Sequence, residues 1–190
     1  MDRRQRIANA GIALIARGGT HRLTHRAVDA EAGLPNGSTS YYARSRRNLI
    51  RLVMEQLSAE SQADLTDIEV PGKLTVRQAT DLVGRLAERL ILNGDAQAAR
   101  FALMFEVRDD DELRRELTVD APVRRSFDEK AVELLRALGV ADPEEKAPEF
   151  VALVDAVLMY RAVDAAPIDP AGVVETYLDG LVRRKPTAAL

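Results

Sequence analysis

The chain has 190 residues, 46% of them hydrophobic and 30% charged, with a formal net charge of −3. That is ordinary globular composition, long enough to bury a core without staples. It has no cysteine, which excludes disulfides, thiolate zinc sites and cysteine nucleophiles. Its two histidines, His21 and His25, both lie near the start, so histidine chemistry is excluded from the rest of the chain. No apolar run approaches the roughly 20 residues that span a bilayer, and the charged start leads into an amphipathic stretch rather than a signal-peptide core. A cytoplasmic protein without a membrane partner is expected.

Charge is unevenly placed. Residues 1–52 hold ten arginines against Asp2, Asp29 and Glu31, a local charge of +7, while the remainder carries −10. A basic head on an acidic body points to a polyanionic partner for the head.

Apolar residues recur at three and four nearly throughout, the period of helices. Ile7, Ala10, Gly11, Leu14 and Ile15 form the stripe of a first helix ending at Gly18-Gly19. Thr24 is placed to cap a second helix closed by Gly33, and Pro35-Asn36 start a short third helix to about Ala43. Ser45 caps a long fourth helix, broken at Val70-Pro71-Gly72. Thr75 caps a fifth, ended by Asn93-Gly94, and a sixth runs from about Asp95 to Arg108. The acidic run Asp109 to Glu112 suits the start of another helix, interrupted near Pro122, that reaches Gly139. Two last helices, about 144–165 and 170–184, are separated by Pro167 and Pro170. The expectation is an all-α chain of about nine helices, with an N-terminal helix-turn-helix domain over 1–46 and a C-terminal helical ligand-binding and dimerisation domain over 47–190.

Residues 24–42 have the form of a helix-turn-helix, two short helices about a glycine-containing turn. Thr24 offers a hydroxyl to a phosphate. Asn36 can read adenine, Ser38 and Ser40 suit bases or phosphates, Gly37 lets the backbone come close, and the hydroxyls of Tyr41 and Tyr42 suit phosphate oxygens. Arg26, Arg44, Arg46 and Arg47 supply flanking positive charge.

From Arg6 to about Val53 the sequence resembles the DNA-binding domain of the TetR family of transcriptional regulators. The resemblance is carried by Ile7, Ala10, Leu14, Gly18-Gly19, Leu23-Thr24, Val28, Ala32-Gly33-Leu34, Gly37-Ser38, Tyr41-Tyr42, Ser45-Arg46 and Leu49. Three positions depart from the usual pattern: Asp29 stands in place of a small Ala, Ala43 in place of Phe, and Arg46 in place of Lys. The first two bear on the packing of the three-helix head, whereas Arg46 keeps the charge. The resemblance implies a homodimer that binds a near-palindromic duplex operator and is released by a small-molecule effector. It implies phosphate contacts from Thr24, Tyr41, Tyr42 and Arg46, and base contacts from Arg26, Asn36, Ser38 and Ser40.

The body carries no motif of comparable specificity. Leu86, Leu90, Phe101, Met104, Phe105 and Phe127 lie on central helices and are candidates to line an effector pocket. Phe150, Val154, Val157 and Leu158, with Val174, Tyr177, Leu178 and Leu181, form apolar bands on the last two helices too wide for one buried face. They are candidates for a four-helix dimer interface. Consecutive carboxylates at 109–112 point in different directions around a helix, and no phosphate-binding loop, HExxH or Ser-His-Asp set is present. No enzyme activity, cofactor or metal is therefore expected. The competing reading is a helical adaptor or dimerisation protein of the same fold that has lost DNA binding.

Overall fold

A computed structural model describes residues 1–183. Residues 184–190 of the expected C-terminal domain lie outside the described part. In chain order the elements are α1 (Arg3–Gly18), a single 3₁₀ turn (Thr20–Arg22), α2 (His25–Glu31), α3 (Ser38–Tyr42), α4 (Arg46–Thr66) and α5 (Val76–Leu92). They continue with α6 (Gly94–Glu106), α7 (Asp111–Leu117), α8 (Pro122–Ala137), α9 (Pro143–Ala162) and α10 (Pro170–Arg183). No strand occurs among the described residues.

Side-chain caps set most of the helix starts. Asp2 and Gln5 form a reciprocal capping box on α1, and the Thr24 hydroxyl accepts from the Ala27 amide at the start of α2. Ser45 accepts from the Asn48 amide, Thr75 pairs reciprocally with Gln78, and Asp110 accepts from the Leu113 amide. Each such cap satisfies one orphan N–H and is worth about 1 kcal/mol.

The structure sharpens two expectations. The stretch from Asp109 to Gly139 is interrupted at Pro122 into two helices, α7 closing at Leu117 and α8 beginning with Pro122 at its first position, which makes ten helices among the described residues. The third helix begins at Ser38, not at Pro35 or Asn36. Gly37 takes a left-handed conformation (φ 92°), which the preceding residues need to turn and which a side chain would strain.

The described residues form two compact units. The first comprises residues 1–62 and 93–123. Its core joins Ile7 and Ile15 of α1, Leu23, Val28 of α2, Leu49 and Val53 of α4, and Leu103 of α6. Here α1 packs on both α2 and α6. Gly11 lets α1 approach α4 closely, since a Cβ built on it would stand 2.5 Å from Cγ2 of Val53. Polar contacts pin the head: Arg6 donates to the Ala32 carbonyl at 2.6 Å, and Arg17 pairs with Glu31 at 2.6 Å.

The second unit comprises residues 63–92 and those from 124 onward. In it α5 packs against α9 and α10, around a core that includes Leu65, Leu135, Phe150, Val174 and Leu178. The Phe150 and Tyr177 rings stack with centroids 5.9 Å apart. Among the described residues no helix is long and apolar enough to cross a membrane.

Candidate nucleic-acid interface

Helix α3 has five residues, and Thr39 is the one it buries. A helix this short is not stable on its own propensity, and it has almost no apolar face to anchor it. Two side chains of α2 hold it instead. At its start, the Asp29 carboxylate accepts from the Gly37 amide (2.7 Å), the Thr39 amide (2.7 Å) and the Thr39 hydroxyl (2.6 Å). At its end, His25 Nε2 donates to the Ala43 carbonyl at 2.6 Å. Asp29 is 1% exposed. Burial alone would push its carboxyl up, but the Thr39 hydroxyl, the two amides and nearby His25 outweigh that and hold it below the ordinary carboxylate value. Ala43 is fully buried in the head's core.

Held this way, α3 turns its other residues outward. Tyr41 is 81% exposed, Tyr42 is also exposed, and the two rings meet edge to face at 5.2 Å. Asn36, Gly37 and Ser40 are exposed, and Ser38 is half-buried with its hydroxyl donating to the Pro35 carbonyl at 2.6 Å. Asn36 and Gly37 thus sit in the turn that leads into α3 rather than on the helix. The Thr24 hydroxyl oxygen is taken by its capping bond, which leaves its hydrogen free to donate outward.

The arginines divide into two groups. Arg46 donates to the carbonyls of Leu23 (2.7 Å) and Thr20 (2.9 Å) and to the Glu106 carboxylate (2.8 Å). Arg47 forks onto Asp110 at 2.8 and 2.9 Å and also reaches Glu112, while Arg51 forks onto Glu116 at 2.7 and 2.8 Å. Arg4 pairs with Glu55. Arg26 on α2 and Arg44 just past α3 are exposed and form no ion pair among the described residues. The outward basic charge beside α3 is therefore smaller than the arginine count indicates.

An open-sided cavity of about 430 Å³ also lies in the first unit. Its lining combines the apolar Met54, Ala59, Pro122 and Val123 with the polar or charged Arg51, Glu55, Ser58, Gln62, Glu116 and Asp120. None of the six residues expected to line a pocket borders it. Phe101, Met104 and Phe105 belong to the first unit, and Leu86, Leu90 and Phe127 to the second. Phe105 is 69% exposed and Met104 is also exposed. Phe101 is buried under the Arg100 guanidinium, 4.3 Å from the ring centroid. Leu86 and Phe127 pack on the second unit's core, and Leu90 is buried.

The residues expected at a dimer interface lie on α9 and α10 of the second unit. Phe150, Val157, Leu158, Val174, Leu178 and Leu181 are buried, and Val154 and Tyr177 are half-buried against the second unit's core. The exposed residues of α9 include Glu149, Ala152, Ala156, Tyr160 and Arg161, and those of α10 include Glu175, Thr176, Gly180 and Val182.

Residues 74–184, more than half of the chain, match the family model of the tetracyclin repressor-like C-terminal domain. The chain belongs to the TetR family. Solved TetR-family structures share its fold from end to end. A TetR-family member from Streptomyces coelicolor A3 is 24% identical with a TM-score of 0.70, over 95% of this chain and 98% of that one. A transcriptional regulator from Rhodococcus sp. Rha1 is 14% identical with a TM-score of 0.79, over 96% and 97%. The multidrug binding protein EbrR complexed with ethidium is 25% identical with a TM-score of 0.65, over 95% and 98%. No curated protein matches the sequence. Sequence reasoning of the TetR pattern missed the roles of Asp29, His25 and Glu106. Asp29 carried a signal, its departure from the family's small residue, but nothing in spacing alone assigns it to residues 37 and 39.

Proposed function

We propose that the chain is a sequence-specific duplex-DNA-binding regulator that works as a homodimer on a palindromic operator and represses until a small molecule releases it. The observation that carries this reading is the outward face of α3 and its turn. Asn36 in the turn and Ser40, Tyr41 and Tyr42 on the short helix, locked from behind, present hydrogen-bonding groups to solvent, and the exposed Arg26 and Arg44 belong to the same module. A locked, exposed helix at the tip of a module is what entry into a major groove requires. In this reading Thr24, Tyr41, Tyr42 and Arg46 contact phosphates, and Arg26, Asn36, Ser38 and Ser40 contact bases, with Gly37 allowing close approach.

The effector site that the reading favours is the cavity in the first unit, whose volume falls within the range of small-molecule pockets. From its lining the ion pairs run Arg51, Glu112, Arg47, Asp110, and Arg47 adjoins Arg46 at the start of α4. A ligand that displaces Arg51 or Glu116 alters the ion pairs that tie α4 to residues 110–116, next to Arg46. The related EbrR holds ethidium, which makes that dye a reasonable first probe here. In this reading the dimer contact is formed by α9 and α10, whose exposed residues include Ala152, Ala156 and Tyr160 on one and Thr176, Gly180 and Val182 on the other.

The test is a footprint on the DNA flanking the protein's own gene, titrated with salt. Two protected half-sites about 34–36 Å apart, lost steeply as salt rises, support the reading. No protection at any salt concentration overturns it in favour of a helical adaptor.

A further inference from the structure

We propose that Asp29 is the positioning residue of the DNA-reading element: its buried carboxylate fixes where the Asn36-Gly37 turn and α3 stand on the head, and so sets which bases Asn36 and Ser40 can reach. The inference rests on α3 being the reading element. Both carboxylate oxygens are used, Oδ2 by the Gly37 amide and Oδ1 by the amide and hydroxyl of Thr39. Apolar packing cannot substitute, because Thr39 is the only residue α3 buries. Every contact at the carboxylate is a donor, so the site requires a group that accepts at both of its atoms. Asparagine has the same size and presents an N–H₂ where an acceptor is needed, which leaves a buried donor unpaired. The anchor also acts on the turn as well as the helix, since Gly37 adjoins Asn36 directly.

Asp29→Asn and Thr39→Val preserve volume and remove the contacts separately, and Thr39→Ser retains the hydroxyl. Binding is measured to a duplex enriched by the wild-type protein from a random-sequence pool, and to a scrambled duplex. Asp29→Asn is expected to weaken the enriched duplex by about tenfold or more while the scrambled duplex changes by no more than about twofold. Thr39→Val follows with a loss of about threefold, and Thr39→Ser restores wild-type discrimination. A residue that only stabilises the fold would lower the two affinities together, and an unchanged ratio in Asp29→Asn overturns the proposal. Amide hydrogen exchange, measured without DNA, provides the independent arm. Residues 37–43 should exchange faster in Asp29→Asn while α1 and α4 keep their protection, and identical exchange overturns the proposal. If the wild-type chain enriches no duplex, the DNA reading fails by itself, and the exchange experiment still decides whether Asp29 places α3.

Discussion

Arg46 and Glu106 form a 2.8 Å ion pair in which the guanidinium also donates to the carbonyls of Leu23 and Thr20. The Thr20 hydroxyl donates to the second Glu106 oxygen at 2.7 Å. Arg46, and then Thr20, hold the Glu106 carboxyl below its ordinary value. In the proposed function this carboxylate competes with a DNA phosphate for the same guanidinium. Glu106→Gln is therefore expected to tighten binding to every duplex by about threefold at low salt, through the lost negative charge. Arg46→Ala should weaken all duplexes alike and reduce the salt slope by about 1. Fluorescence anisotropy across a salt series measures both, and a Glu106→Gln variant that binds more weakly would contradict the competition.

Asn36 and Tyr42 are expected to fail differently. Asn36 sits exposed in the turn before α3, so Asn36→Ala should change the preferred sequence, costing about 1–3 kcal/mol at one position of each half-site. Tyr42→Phe removes one hydroxyl suited to phosphate and should weaken preferred and random DNA by similar factors. Selection from a random pool with each variant separates the two roles. Equal losses for Asn36→Ala on both kinds of DNA would remove Asn36 from base reading.

Acid should loosen the first unit. Asp110 is held well below the usual carboxylate value by Arg47 and the Leu113 amide, Glu116 is lowered by Arg51, and Asp29 and Glu106 are lowered as described. In the unfolded chain such carboxyls take up protons near pH ~4, while the folded forms resist until lower pH. Their contribution is complete above the unfolded values and is lost as pH falls through the folded ones. Thermal unfolding should show a Tm that falls between about pH 5 and about pH 3. Because the Arg47 and Arg51 pairs are partly exposed, added salt should shrink that fall. A Tm that does not change over this range would contradict the role given to these pairs.

Gly11→Ala tests the approach of α1 to α4. The added methyl would meet Val53 at 2.5 Å and Leu23 at 3.2 Å, both in the buried core. Overpacking costs about 1–3 kcal/mol, against a gain of about 1 kcal/mol from helix propensity. Chemical denaturation should show a net loss of stability, and a more stable variant would mean that Val53 can move aside.

The helices were legible wherever a cap is local. Thr24, Ser45 and Thr75 satisfy amides three residues ahead of themselves, and the Gly18-Gly19 and Asn93-Gly94 pairs end helices within the same window. The reading face was legible too, since polar and aromatic residues crowd a segment that has little reason to be buried. Asp29 was not, because its partners stand eight and ten residues away across a turn whose path depends on Gly37. Residues 93–123 fold with the head although they follow it by a whole helix, a pairing decided by packing of α6 on α1 rather than by any local pattern. The apolar bands of α9 and α10 leave the partner open for a related reason: a residue's periodicity says that it is covered, not whether its own chain or a second copy covers it.

The engaged arginines have a consequence for how a promoter would be occupied. With Arg4, Arg6, Arg17, Arg46, Arg47 and Arg51 all tied to partners inside the first unit, one tip has few spare cations with which to displace counterions. Alone it would grip DNA loosely. Tight residence would then come from avidity between two tips on one site, so occupancy should respond sharply to anything that alters their pairing.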